Sequence, residues 1–171
     1  MENLSLIAAI GRNNELGLNN RLIWKTQEDL KFYRNYTLNQ NIIMGRKTFE
    51  SMPIGALQKR NVYVLSSKPI DSYCDVNCYN NIKDMLHLIK NTEKNFIVVG
   101  GAQIYKAFLP YVDTMYLTEI YEDAEADTFF PKIDFYDWNI ETIFEHDDVD
   151  YYQDDSYIPY VRNRYTRKRV K

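Results

Sequence analysis

The sequence predicts an α/β fold with a largely parallel central sheet, helices on both faces and an antiparallel C-terminal edge, and three observations carry that expectation. Short, partly β-branched apolar runs recur at 4–10, 41–44, 62–66 and 96–99, and helical patterns lie between them. These runs are apolar throughout rather than alternating, as strands buried on both faces of a parallel sheet are. Finally, Gly11, Gly45 and the pair Gly100-Gly101 each follow the end of such a run. Open α/β sheets bind ligands at the carboxyl ends of their strands, so the glycines mark one crevice three times.

In chain order, Leu4 to Ile10 (LSLIAAI) is the first strand. The stretch Asn20 to Thr37 (NRLIWKTQEDLKFYRNYT) then opens a helix over 27–39, with Thr26 as its N-cap. That places Asp29 at the third helical position, with Tyr33 and Tyr36 on its own face. Asp29 either looks out over aromatic walls or closes a capping box with Thr26. Asn41 to Met44 is a strand followed by a helix at Lys47 to Met52, and Val62 to Ser66 is the next strand. Ile82 to Lys90 (IKDMLHLIK) and Ala102 to Leu109 (AQIYKAFL) read as helices around the strand Phe96 to Val99. Thr114 to Ile120 alternates as a strand, and 138–144 and 157–167 pair as an antiparallel edge, with Pro159 excluded from a central position.

Composition narrows the function. At 171 residues the chain fits one compact domain spanning 1–171, and a net charge of -3 offers no general attraction to nucleic acid. Cys74 and Cys78 form a lone CxxxC pair with no second ligand pair, and His87 and His146 are the sole histidines. No metal site is expected, and both histidines read as ordinary helix or strand side chains. Nothing resembles a basic leader or a membrane span, so a soluble, cytoplasmic protein with no membrane partner is expected.

The glycine turns suggest the ligand. Gly45-Arg46-Lys47-Thr48 and Gly100-Gly101-Ala102-Gln103 each join a strand to a helix and set backbone N–H groups against the crevice. Two such turns, one carrying Arg46 and Lys47, suit a dinucleotide with separated phosphates. The plainer alternative is a pair of tight turns with solvated charges. Neither the GxGxxG fingerprint nor the P-loop is present.

Taken together, SLIAAIGRNNELGLNNRLIW, EDLKFYRNYT, IIMGRKTFESM, VYVLSS, FIVVGGAQIY, YLTEI and ADTFFP, ending at Pro131, make the chain resemble the bacterial type of dihydrofolate reductase. The correspondence is weakest between Lys68 and Glu93 and in the final strands. The resemblance implies NADPH-dependent reduction of 7,8-dihydrofolate to tetrahydrofolate for one-carbon metabolism: a hydride passes to C6 and a proton to N5. By the same resemblance Asp29 holds the pterin through a paired hydrogen bond, Trp24 positions a water for N5, and Thr118 ties the carboxylate to the pterin amino group. Ile7, Ala8, Ala9, Leu30, Tyr33, Met52, Leu57, Val99 and Tyr105 would complete the substrate pocket, and Arg60 would grip the α-carboxylate of the substrate's tail. Whether Asp29 passes the proton itself or polarises the ring stays open.

For the cofactor the resemblance implies Arg46, Lys47 and Thr48 with Ser66, Ser67 and Lys68 at the phosphates, which favours NADPH over NADH. It adds Gly45, Leu65, Val99, Gly100, Gly101, Ala102, Gln103, Ile104 and Tyr105, with a cis peptide between the glycines, and Ala9, Leu16, Gly17, Asn20 and Leu22. The loop Asn13 to Leu22 resembles a mobile lid supported by the loop of Asp127. Small-molecule partners only are expected: dihydrofolate and antifolate inhibitors of the trimethoprim type, bound by a monomer.

The sequence also departs from the family's pattern. Ile23 and Thr26-Gln27 stand where prolines are frequent, which predicts a less rigid start to the helix. Tyr33 replaces a common phenylalanine and brings a hydroxyl that needs a partner, with altered affinity for diaminopyrimidines as the expected result. Around Gly55 to Arg60 a Pro-Gly turn is missing and one residue is inserted, and Ala126 stands where glycine is common and would stiffen the supporting loop. Two alternatives remain: a same-fold reductase of riboflavin synthesis, which should lack the Trp24 and Asp29 pairing, and a non-enzymatic nucleotide-binding or structural protein using the basic tail Arg162 to Lys171 as its contact surface. Arg162 and Arg164 share one strand face, and a solvated edge strand is the expected setting for them.

Overall fold

A computed structural model describes residues 1–70, 76–146 and 158–169. Eight strands form the main sheet in the order β10-β11-β8-β1-β7-β4-β5-β6. They are β1 (Leu4–Ile10), β4 (Asn41–Gly45), β5 (Asn61–Leu65), β6 (Asn77–Tyr79), β7 (Phe96–Gly100), β8 (Thr114–Ile120), β10 (Trp138–His146) and β11 (Tyr160–Arg167). The run from β8 to β6 is parallel throughout, whereas β11 pairs antiparallel with β8 and with β10. The expected mostly parallel sheet with an antiparallel C-terminal edge is therefore present.

Strand alternation divides the core between the faces of this sheet. Leu4, Leu6, Ala8 and Ile10 of β1, Ile43 of β4 and Phe96 and Val98 of β7 join one apolar cluster. Helices α4 (Ile82–Lys90) and α5 (Ala102–Phe108) cover it, the first through Met85 and Ile89 one turn apart. The intervening residues Ile7, Ile42, Met44, Ile97 and Val99 face the other way, against Phe32, Tyr33 and Tyr36 of α1 (Gln27–Thr37) and Phe49 of α2 (Arg46–Ser51). Strands with apolar neighbours above and below need apolar residues at every position, which explains their unbroken hydrophobic runs.

Several boundaries differ from expectation for identifiable reasons. Helix α1 stops at Thr37 because Asn39 turns left-handed with φ 58°. Near Arg60 a short helix α3 (Ile54–Leu57) precedes Lys59, which itself takes φ 58° where a Pro-Gly turn would have supplied a glycine. The Asn13 to Leu22 segment contains β2 (Glu15–Leu18) and β3 (Arg21–Leu22), which join β9 (Thr128–Phe129) in a separate three-stranded sheet. Strands of two to four residues are too short to display a period in the sequence.

Strand β11 corrects a stronger expectation. It lies inside the sheet with β10 as its outer neighbour, so its basic residues do not form a solvated edge. Arg162 is 2% exposed. Arg164 pairs with Glu141, Arg167 donates to the carbonyls of Val112 and Leu109 at 2.8 and 2.6 Å while lying over Trp138, and Arg169 pairs with Glu2. The tail is thus occupied by internal contacts as far as the described residues extend. Tyr157 and Cys74 fall outside those residues, and Cys78 is exposed.

Candidate active site

Three adjacent strands set a row of residues beneath the start of α1. Ala9 of β1 stands opposite Thr118 of β8, and Thr118 stands opposite Arg162 of β11. Paired residues project from the same sheet face, so the register alone brings the hydroxyl beside the guanidinium. Above them Thr26 caps α1 by accepting from the Asp29 amide at 3.3 Å. The Asp29 carboxylate does not return to the cap: its Oδ1 accepts from the Thr118 hydroxyl at 2.5 Å and from Arg162 at 2.9 Å. Of the two sequence readings of Asp29, the outward-looking carboxylate is the one observed.

A second acidic residue, which the sequence reading passed over, completes the cluster. Glu28 takes both terminal nitrogens of Arg162, at 3.0 and 2.7 Å, and accepts from the Tyr160 hydroxyl at 2.8 Å. Tyr160 in turn accepts from Thr26 at 3.2 Å, and the Arg162 guanidinium lies 3.9 Å from the centre of the Phe32 ring. Burial opposes ionisation of Glu28, yet its hydrogen bonds to Arg162 and Tyr160 and the guanidinium's charge outweigh it and hold the carboxyl below its ordinary range. Burial likewise works against the charge on Arg162, but the bonds to Glu28 and Asp29 win and raise its proton affinity. Where proline would have fixed the start of the helix, side-chain hydrogen bonds do so here.

The remaining substrate candidates divide by sheet face. Ile7, Val99, Tyr33, Met52 and Leu57 gather in one apolar cluster on the α1 side, and Leu30 is half-buried on α1 itself. The side chain of Ala8 points into the opposite core, which corrects its placement as a pocket wall and leaves only its backbone to the site. Tyr105 also grows from that side, but its hydroxyl crosses to donate to the Ile7 carbonyl at 2.8 Å. Burial, then the nearby Tyr33 and Asp29, push its ionisation upward. The Tyr33 hydroxyl and the Trp24 indole nitrogen are buried and have no hydrogen-bond partner among the described residues. Burial also pushes the Tyr33 phenol up to about 12. Arg60 is held at the far end of α1 by Thr37 Oγ1 at 3.0 Å and by the carbonyls of Gln58 and Arg34 at 2.7 and 2.9 Å.

The glycine turns meet at the carboxyl ends of the strands. Gly45 pairs with Leu65 and Met44 with Gly100, so the turns after β4, β5 and β7 are neighbours. Arg46, Lys47 and Thr48 therefore adjoin Ser66, Ser67 and Lys68, the last three closed into a tight turn by the Ser66 hydroxyl. Arg46 spends two hydrogen bonds on Glu50 of its own helix, at 2.9 and 2.8 Å, which leaves Lys47 and Lys68 as the exposed cations. The Gly100-Gly101 peptide is cis, as the resemblance implied. A Cβ on Gly45 would stand 3.0 Å from Ile104, and one on Gly101 would stand 3.3 Å from Thr48 Oγ1. Backbone amides at the strand ends, two exposed lysines and glycines at the points of closest approach fit a nucleotide with several phosphates. Ala102 and Gln103 open α5 beside this turn, and Ile104 is in the core.

The lid candidates lie on the small sheet. Leu22 is exposed, Asn20 is exposed with φ 59°, and Leu16 is instead buried in the main core. Asp127 accepts from the Asn19 amide at 2.9 Å and donates its own amide to the Gly17 carbonyl at 3.0 Å, so the supporting loop does hold this segment.

Known proteins resemble this chain in sequence and in fold. The dihydrofolate reductase family profile matches residues 3–165. The chain is 36% identical to a dihydrofolate reductase of Staphylococcus haemolyticus over 79% of this chain and 80% of that one, and 35% identical to that of Bacillus subtilis over 80% of each. The chain belongs to the dihydrofolate reductase family. Among solved structures, a dihydrofolate reductase from Enterococcus faecalis complexed with NADP(H) and RAB-propyl superposes with a TM-score of 0.83 at 27% identity, over 97% of this chain and 96% of that one. Family membership argues against both alternatives, the riboflavin-pathway reductase and the non-enzymatic protein. The place of the arginine beneath Asp29 is not legible in the sequence, where its one trace is the pair of adjacent carboxylates Glu28 and Asp29.

Proposed function

We propose that the chain is a single dihydrofolate reductase domain that reduces 7,8-dihydrofolate to tetrahydrofolate with NADPH and is open to diaminopyrimidine antifolates, working as a soluble cytoplasmic monomer. The observation that carries this reading is the Asp29 carboxylate, 19% exposed and anchored by Oδ1 alone, with no hydrogen bond to Oδ2 among the described residues. Oδ2 is then free to accept an N–H of the pterin, a charge-assisted bond, while Oδ1 and the Thr118 hydroxyl lie beside it for the neighbouring donor, and together they fix the ring's orientation.

NADPH, when bound, supplies the hydride that C6 receives. The chain's own residues hold and align the partners. Lys47 and Lys68, with the amides that follow Gly45 and Gly101, would hold the phosphates, and Val99, Gly100 and Tyr105 would border the nicotinamide. Ile7, Leu30, Tyr33, Met52 and Leu57 would exclude water around the pterin, with Arg60 near the substrate's tail. The buried indole N–H of Trp24 would fix a water from which N5 takes its proton. Leu22 and Asn20 would close over the cofactor with the lid, and Gln103, Ala102, Thr48, Ser66 and Ser67 would line its course.

The test is NADPH oxidation with 7,8-dihydrofolate by wild type and Asp29→Asn, repeated with NADH. Turnover with NADPH, little with NADH, and a loss of about 100-fold or more in Asp29→Asn is the expected result. NADPH binding without turnover in the wild type would refute it.

A further inference from the structure

Arg162 occupies a position that a packing role does not explain. It heads the fully buried side chains among the described residues, and it grows from the penultimate strand of the sheet order to reach the start of a helix far away in sequence. Its donors are almost fully committed: Nε to Thr118 Oγ1 at 3.1 Å, one terminal nitrogen to Glu28 at 3.0 Å, the other to Glu28 at 2.7 Å and to Asp29 Oδ1 at 2.9 Å. Because Nε donates into the Thr118 oxygen, the hydroxyl hydrogen must turn to Asp29, where the 2.5 Å contact is found. The same guanidinium therefore grips Asp29 Oδ1 twice, once directly and once through Thr118.

We propose that Arg162 is a positioning residue for the substrate-binding carboxylate: it pins Oδ1 and so presents Oδ2 to the ligand, while Glu28 balances its charge. This rests on the reading of Asp29 given above. Charge balance is the reason for the second carboxylate. Arg162 with Asp29 alone would be a neutral pair with little pull on a cationic ring, whereas two carboxylates and one guanidinium leave one net negative charge. The Tyr160 hydroxyl and the Phe32 ring fix the two balancing partners in place. The cluster is thereby set for a planar ligand that offers adjacent N–H donors and carries, or readily takes, a positive charge.

The experiment compares wild type with Arg162→Lys and Glu28→Gln in steady-state turnover of 7,8-dihydrofolate, together with NADPH binding and the affinity for protonated trimethoprim. Lysine keeps the charge but offers three donors from a single nitrogen, without the planar fork that makes four bonds to Thr118, Glu28 and Asp29 from three nitrogens. Arg162→Lys is expected to lose at least tenfold in kcat/KM for dihydrofolate, with NADPH binding unchanged. Glu28→Gln keeps an acceptor while removing the charge, and should weaken trimethoprim about tenfold and the neutral substrate's KM by less than threefold. A folded Arg162→Lys with kcat/KM within twofold of wild type, or equal losses for both ligands in Glu28→Gln, overturns the proposal. If Arg162→Lys does not fold, Glu28→Gln alone decides. An inactive wild type that still binds NADPH would instead refute the reading of Asp29, and this proposal with it.

Discussion

The two halves of the crevice are built from different materials. On the α1 side, function depends on charged and polar side chains brought from α1, β8 and β11, joined in one hydrogen-bonded network. On the α5 side it depends on backbone: three neighbouring turns at the strand ends, two of them with glycines that let chains approach one another, and side-chain charge only at the rim. The first half fixes where a proton and a charge reside, and the second fixes where a chain can run. Substitutions should accordingly fail by electrostatics in one half and by shape in the other.

The largest effect is expected from Arg162→Leu. It would leave the Glu28 and Asp29 carboxylates facing one another without their cation, and stability measured by urea unfolding should fall by about 3–5 kcal/mol. A loss below about 1 kcal/mol would break the comparison by showing the network to be dispensable.

Gly100→Ala probes the other half. Gly100 has φ +121°, and its added Cβ would stand 3.2 Å from the Tyr105 hydroxyl that donates to Ile7. A loss of about 1–3 kcal/mol is expected, with weaker NADPH binding by fluorescence titration and no change in the pH dependence of stability.

Glu28→Gln sharpens the contrast through pH. The Glu28 carboxyl lies below its usual range in the folded protein, so its contribution is present above the unfolded value and is lost as pH falls through the folded one. The variant should be about 1–2 kcal/mol less stable than wild type at pH 7, and the gap should close in acid. A gap independent of pH would contradict an electrostatic origin.

Tyr33→Phe has the smallest expected effect. Removing a buried hydroxyl with no hydrogen-bond partner among the described residues should stabilise by about 1 kcal/mol, seen as a higher urea midpoint. Wild-type stability should also fall as pH rises from about 10 toward 12, because the unfolded phenol ionises first, and the variant should show less of that fall. An unchanged inhibition constant for trimethoprim would remove the idea that this hydroxyl alters diaminopyrimidine affinity.

The same division decides what the sequence reveals. The glycine turns and buried parallel strands are local facts: FIVVGG carries its apolar run and its turn within six residues, and both appear where expected. Thr26 capping α1 is equally local. Arg162 is not, because its place depends on the β8–β11 register, which sets it opposite Thr118, and on β10 covering the outer edge. Alone, a basic residue in a YVRNRYTR strand matches a solvated edge as well as a buried ion pair. Ala8 was misplaced for a related reason: a run apolar at every position does not announce which residues face which side.

One consequence follows from the interior position of β11. A ribosome delivers Asp29 early and Arg162 after a further 133 residues, so the nascent chain can assemble β1, β4 and β7 and their turns while the carboxylate still lacks its cation. Competence for substrate would then arrive last in synthesis, and a product cut short before β11 would retain much of the cofactor half while presenting an unanchored Asp29.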